Sequence, residues 1–175
     1  GCARNEKPAN TAHEALAKLG QIDEDLSTWA SLPVDEKKAV SDRSRETAGR
    51  VIETVRSPKD LAILYARCED QAREWSKQHN SQEELTRPCP YFTAQEHILP
   101  RLGDMKTDQS CRAVLSLLED PRYQWDGGMA WAMSYAVTNH GRAALPGLRQ
   151  ILANRPGDSL VRQLIISCEE DQVLR

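Results

Sequence analysis

The sequence has few of the residues that build β-strands. Its aromatic residues are four Trp, four Tyr and one Phe among 175 residues, and β-branched residues nowhere alternate with polar ones in a run. Such alternation is the usual pattern of a strand with one buried face. We therefore expect an all-α fold. A chain of this length buries enough surface to form a core without metal ions or dense cross-linking.

The chain also lacks a long apolar run and an excess of charge of either sign. No stretch of about 18 apolar residues occurs, so we predict no transmembrane helix in this sequence. The 23 basic and 26 acidic residues give a net charge of −3. This balance provides no broad basic surface for a phosphate backbone, and we expect no nucleic-acid partner.

Motifs of known catalytic or metal-binding chemistry are absent. There is no HExxH, GxSxG, Walker or dinucleotide-binding glycine pattern, and the five cysteines include no CxxC pair. The four histidines have no second His or Cys three or four residues away: His13, His79, His97 and His140. A cluster of His97 with Glu96 and with Glu83 or Glu84 is not favoured, because adjacent residues point to different helix faces. His140 is placed at a helix C-terminus, where the dipole favours a cation. We predict no catalytic residue, cofactor or metal site, which favours a non-enzymatic protein.

The N-terminal half has the pattern of three long helices between residues 11 and 79. Thr11-Ala-His-Glu14 is a capping box and Ser57-Pro58 is a second helix start. In the first helix apolar residues recur at steps of three and four through Trp29, and Pro33 ends the segment. The next two helices carry similar stripes: Val40, Ala48, Val51, Ile52 and Val55, then Leu61, Leu64, Tyr65, Cys68, Ala72 and Trp75. We expect helical hairpins or a bundle here, followed by a loop over 80–91.

The region 93–171 is predicted to contain shorter helices. Thr93-Ala-Gln-Glu96 has the form of another capping box, which predicts a helix from there through Leu102. Further helices are expected over 108–119, 127–140, 142–154 and 158–171. Together with the first three helices they predict a single helical domain over 11–175.

A degenerate repeat runs through this second half. Arg112-Ala-Val-Leu115 and Arg142-Ala-Ala-Leu145 each open a predicted helix, about thirty residues apart, in the range of stacked helix pairs. Ala144-Leu-Pro-Gly-Leu148, followed by Leu160-Val-Arg162, resembles one unit of the HEAT-like helical repeats. The resemblance implies stacked helix pairs over 94–171, with the second helix of each pair lining the inner surface.

The chain starts with Gly1-Cys2, followed by a polar, proline-containing stretch from Ala3 to Asn10. This start resembles the processed end of a bacterial lipoprotein, in which the cysteine carries the lipid. The resemblance implies that Cys2 is a lipid-attachment site, that residues 1–10 are a flexible tether, and that the protein meets a membrane only through this lipid, in the periplasm or cell envelope. A glycine left behind by cleavage of an expression tag is the alternative origin of Gly1.

The four other cysteines are candidates for two disulfides. An exported chain reaches an oxidising compartment, where such bonds form. Of the three possible pairings we favour Cys68 with Cys89 and Cys111 with Cys168, because the loop before Cys89 can return it along the third helix. Ordinary buried thiols at Cys68, Cys111 and Cys168 are an equal alternative.

Aromatic residues concentrate around Asp126-Gly-Gly128: Tyr123, Trp125, Trp131 and Tyr135. On the predicted helix 127–140, one face is formed by Met129, Ala132, Met133, Ala136 and Val137. Trp131, Tyr135 and Asn139 form a second line at four-residue steps, here called the aromatic ridge. A helix with two apolar faces is either buried between layers or offers one face to a partner. Trp and Tyr dominate binding surfaces, and stacked pairs would place Arg162 beside the ridge.

Three functions remain open at the level of sequence. The leading interpretation is a non-enzymatic helical protein-interaction module of the bacterial cell envelope, binding another protein through the aromatic ridge and Arg162. The first alternative is an envelope enzyme or glycan-binding protein with an aromatic cleft from Tyr123 to Tyr135 and the carboxylates Asp120 and Asp126 nearby; two carboxyl groups facing each other across the cleft would favour it. The second is an immunity- or inhibitor-type protein that binds one toxin.

Overall fold

In the computed structural model, residues 11–82, 84 and 86–170 are described, and this part of the chain is all-helical. Helices account for 79% of these residues, with no strand among them, which confirms the predicted all-α class. No helix within these ranges combines the length and apolar character that crossing a bilayer requires. The predicted lipid acceptor Cys2 and the predicted tether over residues 1–10 lie outside the described residues.

The described chain forms two compact units, with the boundary between His97 and Ile98 inside the fourth helix. The helices of the first unit are α1 (Ala12–Asp25), a 3-10 turn (Trp29–Ser31), α2 (Val34–Thr54), α3 (Pro58–Gln78) and the start of α4 (Pro90–Met105). The second unit contains the rest of α4, α5 (Asp108–Glu119), α6 (Gly127–Thr138), a 3-10 turn (Gly141–Ala144), α7 (Leu145–Asn154) and α8 (Ser159–Glu170).

Two of the predicted helix starts are confirmed by their caps. The hydroxyl of Thr11 accepts a hydrogen bond from the backbone N–H of Glu14 at 3.2 Å, and that of Ser57 accepts one from Asp60 at 3.3 Å. α1 ends at Asp25, earlier than predicted. Ser and Thr follow Leu26, and their side chains favour turns over helix interiors. The predicted stripe is still buried over its whole length: Ala12, Ala15, Leu19, Ile22, Leu26 and Trp29.

The predicted helix start at Thr93 is wrong. α4 begins at Pro90, where proline has the backbone angle of a first helical residue and needs no amide proton. The Thr93 hydroxyl donates to the carbonyl of Cys89 at 3.1 Å, one turn back, as a hydroxyl inside a helix does. The helix also continues past Pro100 to Met105.

In the first unit, α1 packs against both α2 and α3. The start of α4 joins this group through two contacts. Gln95 is buried and its amide donates to Glu69 of α3 at 2.9 Å. The ring of His97 lies against Gly49 of α2, where an added β-carbon would be 3.1 Å from the imidazole. His97 is therefore a packing residue on α4, and glycine at position 49 makes room for it.

In the second unit the helices contact each other as two adjacent pairs. α5 packs against α6 and α7 against α8, while α5 also contacts α7 and α6 also contacts α8. The first helices of the two pairs, α5 and α7, thus contact each other, and so do the second helices, α6 and α8. Arg142 lies in the 3-10 turn before α7 and Arg112 lies within α5, so the two repeated motifs differ in local structure. Membership of the HEAT-like repeats stays a prediction.

α4 and α6 approach each other closely at Gly103. A β-carbon added at Gly103 would lie 2.8 Å from the Cα of Ala136, a distance that side-chain carbons do not tolerate. Glycine here lets the two backbones meet, and the close approach places the C-terminal turn of α4 beside α6. The geometry of the aromatic ridge depends on this contact.

We expect Gly103→Ala to lower the free energy of unfolding by about 1–3 kcal/mol, because two backbones must separate. Gly20→Ala in α1 is the matched control. Its nearest atom would be the Tyr91 hydroxyl at 3.7 Å, and the higher helix propensity of alanine should raise stability by up to about 1 kcal/mol. Urea unfolding followed by circular dichroism measures both. A Gly103→Ala variant as stable as the wild type would contradict the close approach.

Candidate functional site

α6 is apolar on two sides, and the structure buries only one of them. The buried side is the predicted one: Met129, Ala132, Met133, Ala136 and Val137. On the other side Trp131 is 68% exposed and Tyr135 is 37% exposed. The sequence left open whether the helix is buried all round or shows a ridge; the two aromatic side chains lie at the surface. Their role in binding stays a prediction.

The aromatic ridge has a defined geometry. The rings of Trp131 and Tyr135 stack with their centroids 5.9 Å apart and their planes 23° from parallel. The Tyr135 hydroxyl donates to Oδ1 of Asp104 at 2.8 Å, and the side-chain amide of Asn139 donates to the same oxygen at 3.4 Å. Asp104, near the end of α4, was not predicted. It lies 31 residues from Tyr135, and no local pattern marks it as a partner.

Arg162 lies on α8, which packs against α6. Its side chain is exposed, and its guanidinium donates to the backbone carbonyl of Pro156 in the turn before α8. Within the described part of the chain it makes no hydrogen bond, ion pair or ring contact with the aromatic ridge. The structure therefore brings Trp131, Tyr135 and Asn139 together and leaves Arg162 outside that contact.

The other aromatic residues of this region form a separate group. Tyr123 is buried and meets Trp125 edge to face, with centroids 5.8 Å apart. Arg122 lies over the Tyr123 ring and binds both carboxylate oxygens of Asp120, the shortest contact being 2.6 Å. These hydrogen bonds hold the pKa of Asp120 below its ordinary value, so the group is a poor proton donor at neutral pH. Asp126 precedes α6 and is exposed.

His140 follows α6, and its ring contacts the backbone of α4. Its Nε2 lies 3.2 Å from the carbonyl oxygen of Leu102. Burial lowers the pKa of His140 below its ordinary value, and the positive charge of Lys106 acts in the same direction. The hydrogen bond with Leu102 raises this pKa by a smaller amount, so burial favours the neutral imidazole.

A buried ion cluster in the first unit was missed at the level of sequence. The side chain of Arg87 is only 6% exposed. One of its nitrogens, Nη2, donates to the backbone oxygen and to Oδ1 of Asp23, both at 2.9 Å, and the other, Nη1, donates to Glu84 at 3.2 Å. The indole N–H of Trp75 donates to the same Oδ1 of Asp23 at 2.9 Å. Nδ1 of His79 lies 3.1 Å from Glu84. These five residues are here called the Arg87 cluster.

The Arg87 cluster ties α1 and α3 to the segment that precedes α4. Glu84, considered above as a neighbour of His97, contacts His79 instead. No sequence signal identifies Arg87 as buried, because it stands in a polar segment before Pro88 and Asp23 is 64 residues away. Arginine is seldom buried unless its charge is paired, and here two carboxylates pair with it.

The predicted disulfide partners remain open. Cys68, Cys111 and Cys168 are buried, and Cys89 is partly exposed. Burial raises the pKa of the Cys68 thiol, and the nearby Cys89 raises it further. The pairing of Cys68 with Cys89 and of Cys111 with Cys168 stays a prediction.

Within the described ranges, no group of three or more His, Cys, Asp or Glu side chains is arranged to hold a metal ion. No family model, curated protein or solved structure matches the chain. The aromatic ridge is therefore assessed on its own exposure, geometry and charge.

Proposed function

We propose that this protein is a non-enzymatic helical protein-interaction module and that the aromatic ridge on α6 binds its partner protein. The supporting observation is the exposure of Trp131, 68% of whose surface is open to solvent while it stacks on Tyr135. Single exposed apolar residues are ordinary on protein surfaces, but Trp and Tyr in contact are the side chains that anchor protein interfaces. Covering a large apolar side chain contributes about 1.5–3 kcal/mol.

The ridge is held in one arrangement before a partner arrives. The hydrogen bond from Tyr135 to Asp104 and the stacking of Trp131 on Tyr135 restrict the rotamers of both rings. A pre-ordered side chain loses less conformational entropy on binding, which favours affinity. This is the property expected of a binding surface rather than of an incidental exposed ring.

Charge at the ridge indicates the chemistry of the partner. Asp104 places a carboxylate at the edge of the two rings, and the exposed face of Trp131 attracts cations. We infer a partner that presents an Arg or Lys beside an apolar patch. In this proposal Arg162, on the helix next to α6, contributes to the polar rim.

The proposal is tested with an affinity column that carries the folded protein. We expect a partner protein that the wild type retains to bind the Trp131→Ala variant more weakly by about 2 kcal/mol or more, which is about thirtyfold in Kd. Val34→Ala is the matched control, because Val34 is 85% exposed and lies on α2 of the first unit. It should bind as the wild type does. Isothermal titration with the purified partner gives the constants; equal affinities for wild type and Trp131→Ala would refute the role of the ridge.

We further propose that the protein is held in the bacterial cell envelope by a lipid on Cys2. The support is the sequence Gly1-Cys2 and the polar stretch from Ala3 to Asn10. Expression of the full gene in bacteria fed a labelled fatty acid should label the protein, and Cys2→Ser should abolish the label. An intact Cys2 without label would contradict lipid anchoring.

A further inference from the structure

A second surface feature, independent of the aromatic ridge, lies in the first unit. A cleft of about 420 Å³ opens where α2, α3 and the first turn of α4 meet, within the range of about 300–1,000 Å³ typical of small-molecule sites. Its apolar walls come from Ala72 and Trp75 of α3 and from Phe92 of α4. Phe92 is the only phenylalanine of the chain and is 46% exposed. An exposed ring at the mouth of a cleft offers a surface for an apolar ligand group.

The cleft has an uncompensated positive charge. Arg45 of α2 lines it, is exposed, and has no hydrogen-bond or ion-pair partner among the described residues. The first turn of α4 also reaches the cleft and carries no acidic residue. Its N–H groups at Tyr91 and Phe92 donate to the sulfur of Cys89. Burial raises the pKa of that thiol, so the group is neutral at pH 7 and leaves the positive end of the helix dipole unbalanced.

Arg87 also lines the cleft. Its terminal nitrogens are bound by Asp23 and Glu84, which balance its charge. Its Nε is buried and has no hydrogen-bond partner within the described residues. Because this nitrogen has almost no solvent-accessible surface, a ligand in the cleft does not reach it, and Arg45 is the exposed cation of the cleft.

We propose that this cleft binds a small organic anion, with its acidic group on Arg45 beside the positive end of α4 and its apolar body against Trp75 and Phe92. Guanidinium groups bind carboxylate and sulfonate oxygens through paired hydrogen bonds, which suits a free arginine at the rim. The occupant is a free small molecule, because the cleft is of small-molecule size. The site shares no residue with the aromatic ridge. The result of its test therefore does not depend on the function proposed above.

Two dyes of similar shape test the proposal on the folded full chain. One is 8-anilinonaphthalene-1-sulfonate, an aromatic anion, and the other is N-phenyl-1-naphthylamine, which lacks the charge. We expect the anion to bind at least about tenfold more tightly than the neutral dye, since an ionised acceptor on arginine strengthens the contact. Arg45→Gln should abolish this difference. Arg43→Gln, an exposed arginine of the same helix that lines a different depression, should preserve it.

Two further variants test the apolar part of the site. Phe92→Ala, at an exposed position that tolerates truncation, should weaken both dyes by about tenfold if the ring covers them. Ala72→Trp should fill the cleft and exclude both, with circular dichroism used to check that it folds. The proposal is overturned if the folded wild type shows no saturable anion binding, or if Arg45→Gln binds the anion as the wild type does. It is also overturned if Trp131→Ala, and not Phe92→Ala, removes dye binding.

Discussion

Replacing Asp23 with Ala is expected to reduce the free energy of unfolding by about 2–6 kcal/mol, because two buried donors lose their acceptor at about 1–3 kcal/mol each. The change removes two acceptor contacts from the Arg87 cluster: the one that binds the Arg87 guanidinium and the one that binds the Trp75 indole. Arg87, whose side chain is 94% buried, then keeps Glu84, the backbone oxygen of residue 23 and Nδ1 of His79, which lies 3.4 Å from its Nη1. The cost is therefore that of two buried donors left without their acceptor, because the charge of Arg87 stays paired with Glu84.

The control for this result is Asp42→Ala on α2. Asp42 is paired with Lys38, but both side chains are mostly exposed, and such pairs contribute about 0–1 kcal/mol. Urea unfolding at pH 7 gives the values. If Asp23→Ala costs no more than Asp42→Ala, the cluster does not hold the first unit together.

The second large effect is expected on the buried side of α6. Met133 is fully buried, so Met133→Ala opens a cavity and should cost about 2–5 kcal/mol of stability. Trp131→Ala, two residues earlier on the same helix, removes a larger side chain that is mostly in solvent. Its cost should stay within about 1 kcal/mol. Met133→Ala should therefore cost more stability than Trp131→Ala, although side-chain size alone predicts the opposite order.

Thermal or denaturant unfolding of these two variants decides whether α6 has one structural face or two. A loss of several kcal/mol for Trp131→Ala would mean that the indole is packed in solution, and the aromatic ridge would then be part of the core. A loss below about 1 kcal/mol for Met133→Ala would contradict the buried face. Only a stable Trp131→Ala variant makes a loss of partner binding interpretable.

Features set by neighbouring residues could be predicted from the sequence. The all-α class, the caps at Thr11 and Ser57, and the buried face of α6 all depend on contacts within about one helical turn, where period and side-chain type decide the outcome. The start of α4 was the exception. A Thr-x-x-Glu pattern also fits a helix interior, and Pro90 had already begun the helix three residues earlier. The capping pattern at Thr93 and the proline at position 90 each indicate a helix start, and the sequence alone does not show which of them is used.

The sequence by itself thus determined which helices form and which side of α6 enters the core. Only the tertiary structure decided that Trp131 stays in solvent, that Asp104 fixes Tyr135, and that Arg87 is buried on Asp23. These contacts join residues 31 and 64 positions apart. Their existence depends on how closely whole helices approach, as at Gly103. Helical periodicity describes which face of a helix is apolar, but it does not encode which distant side chain comes to lie against that face.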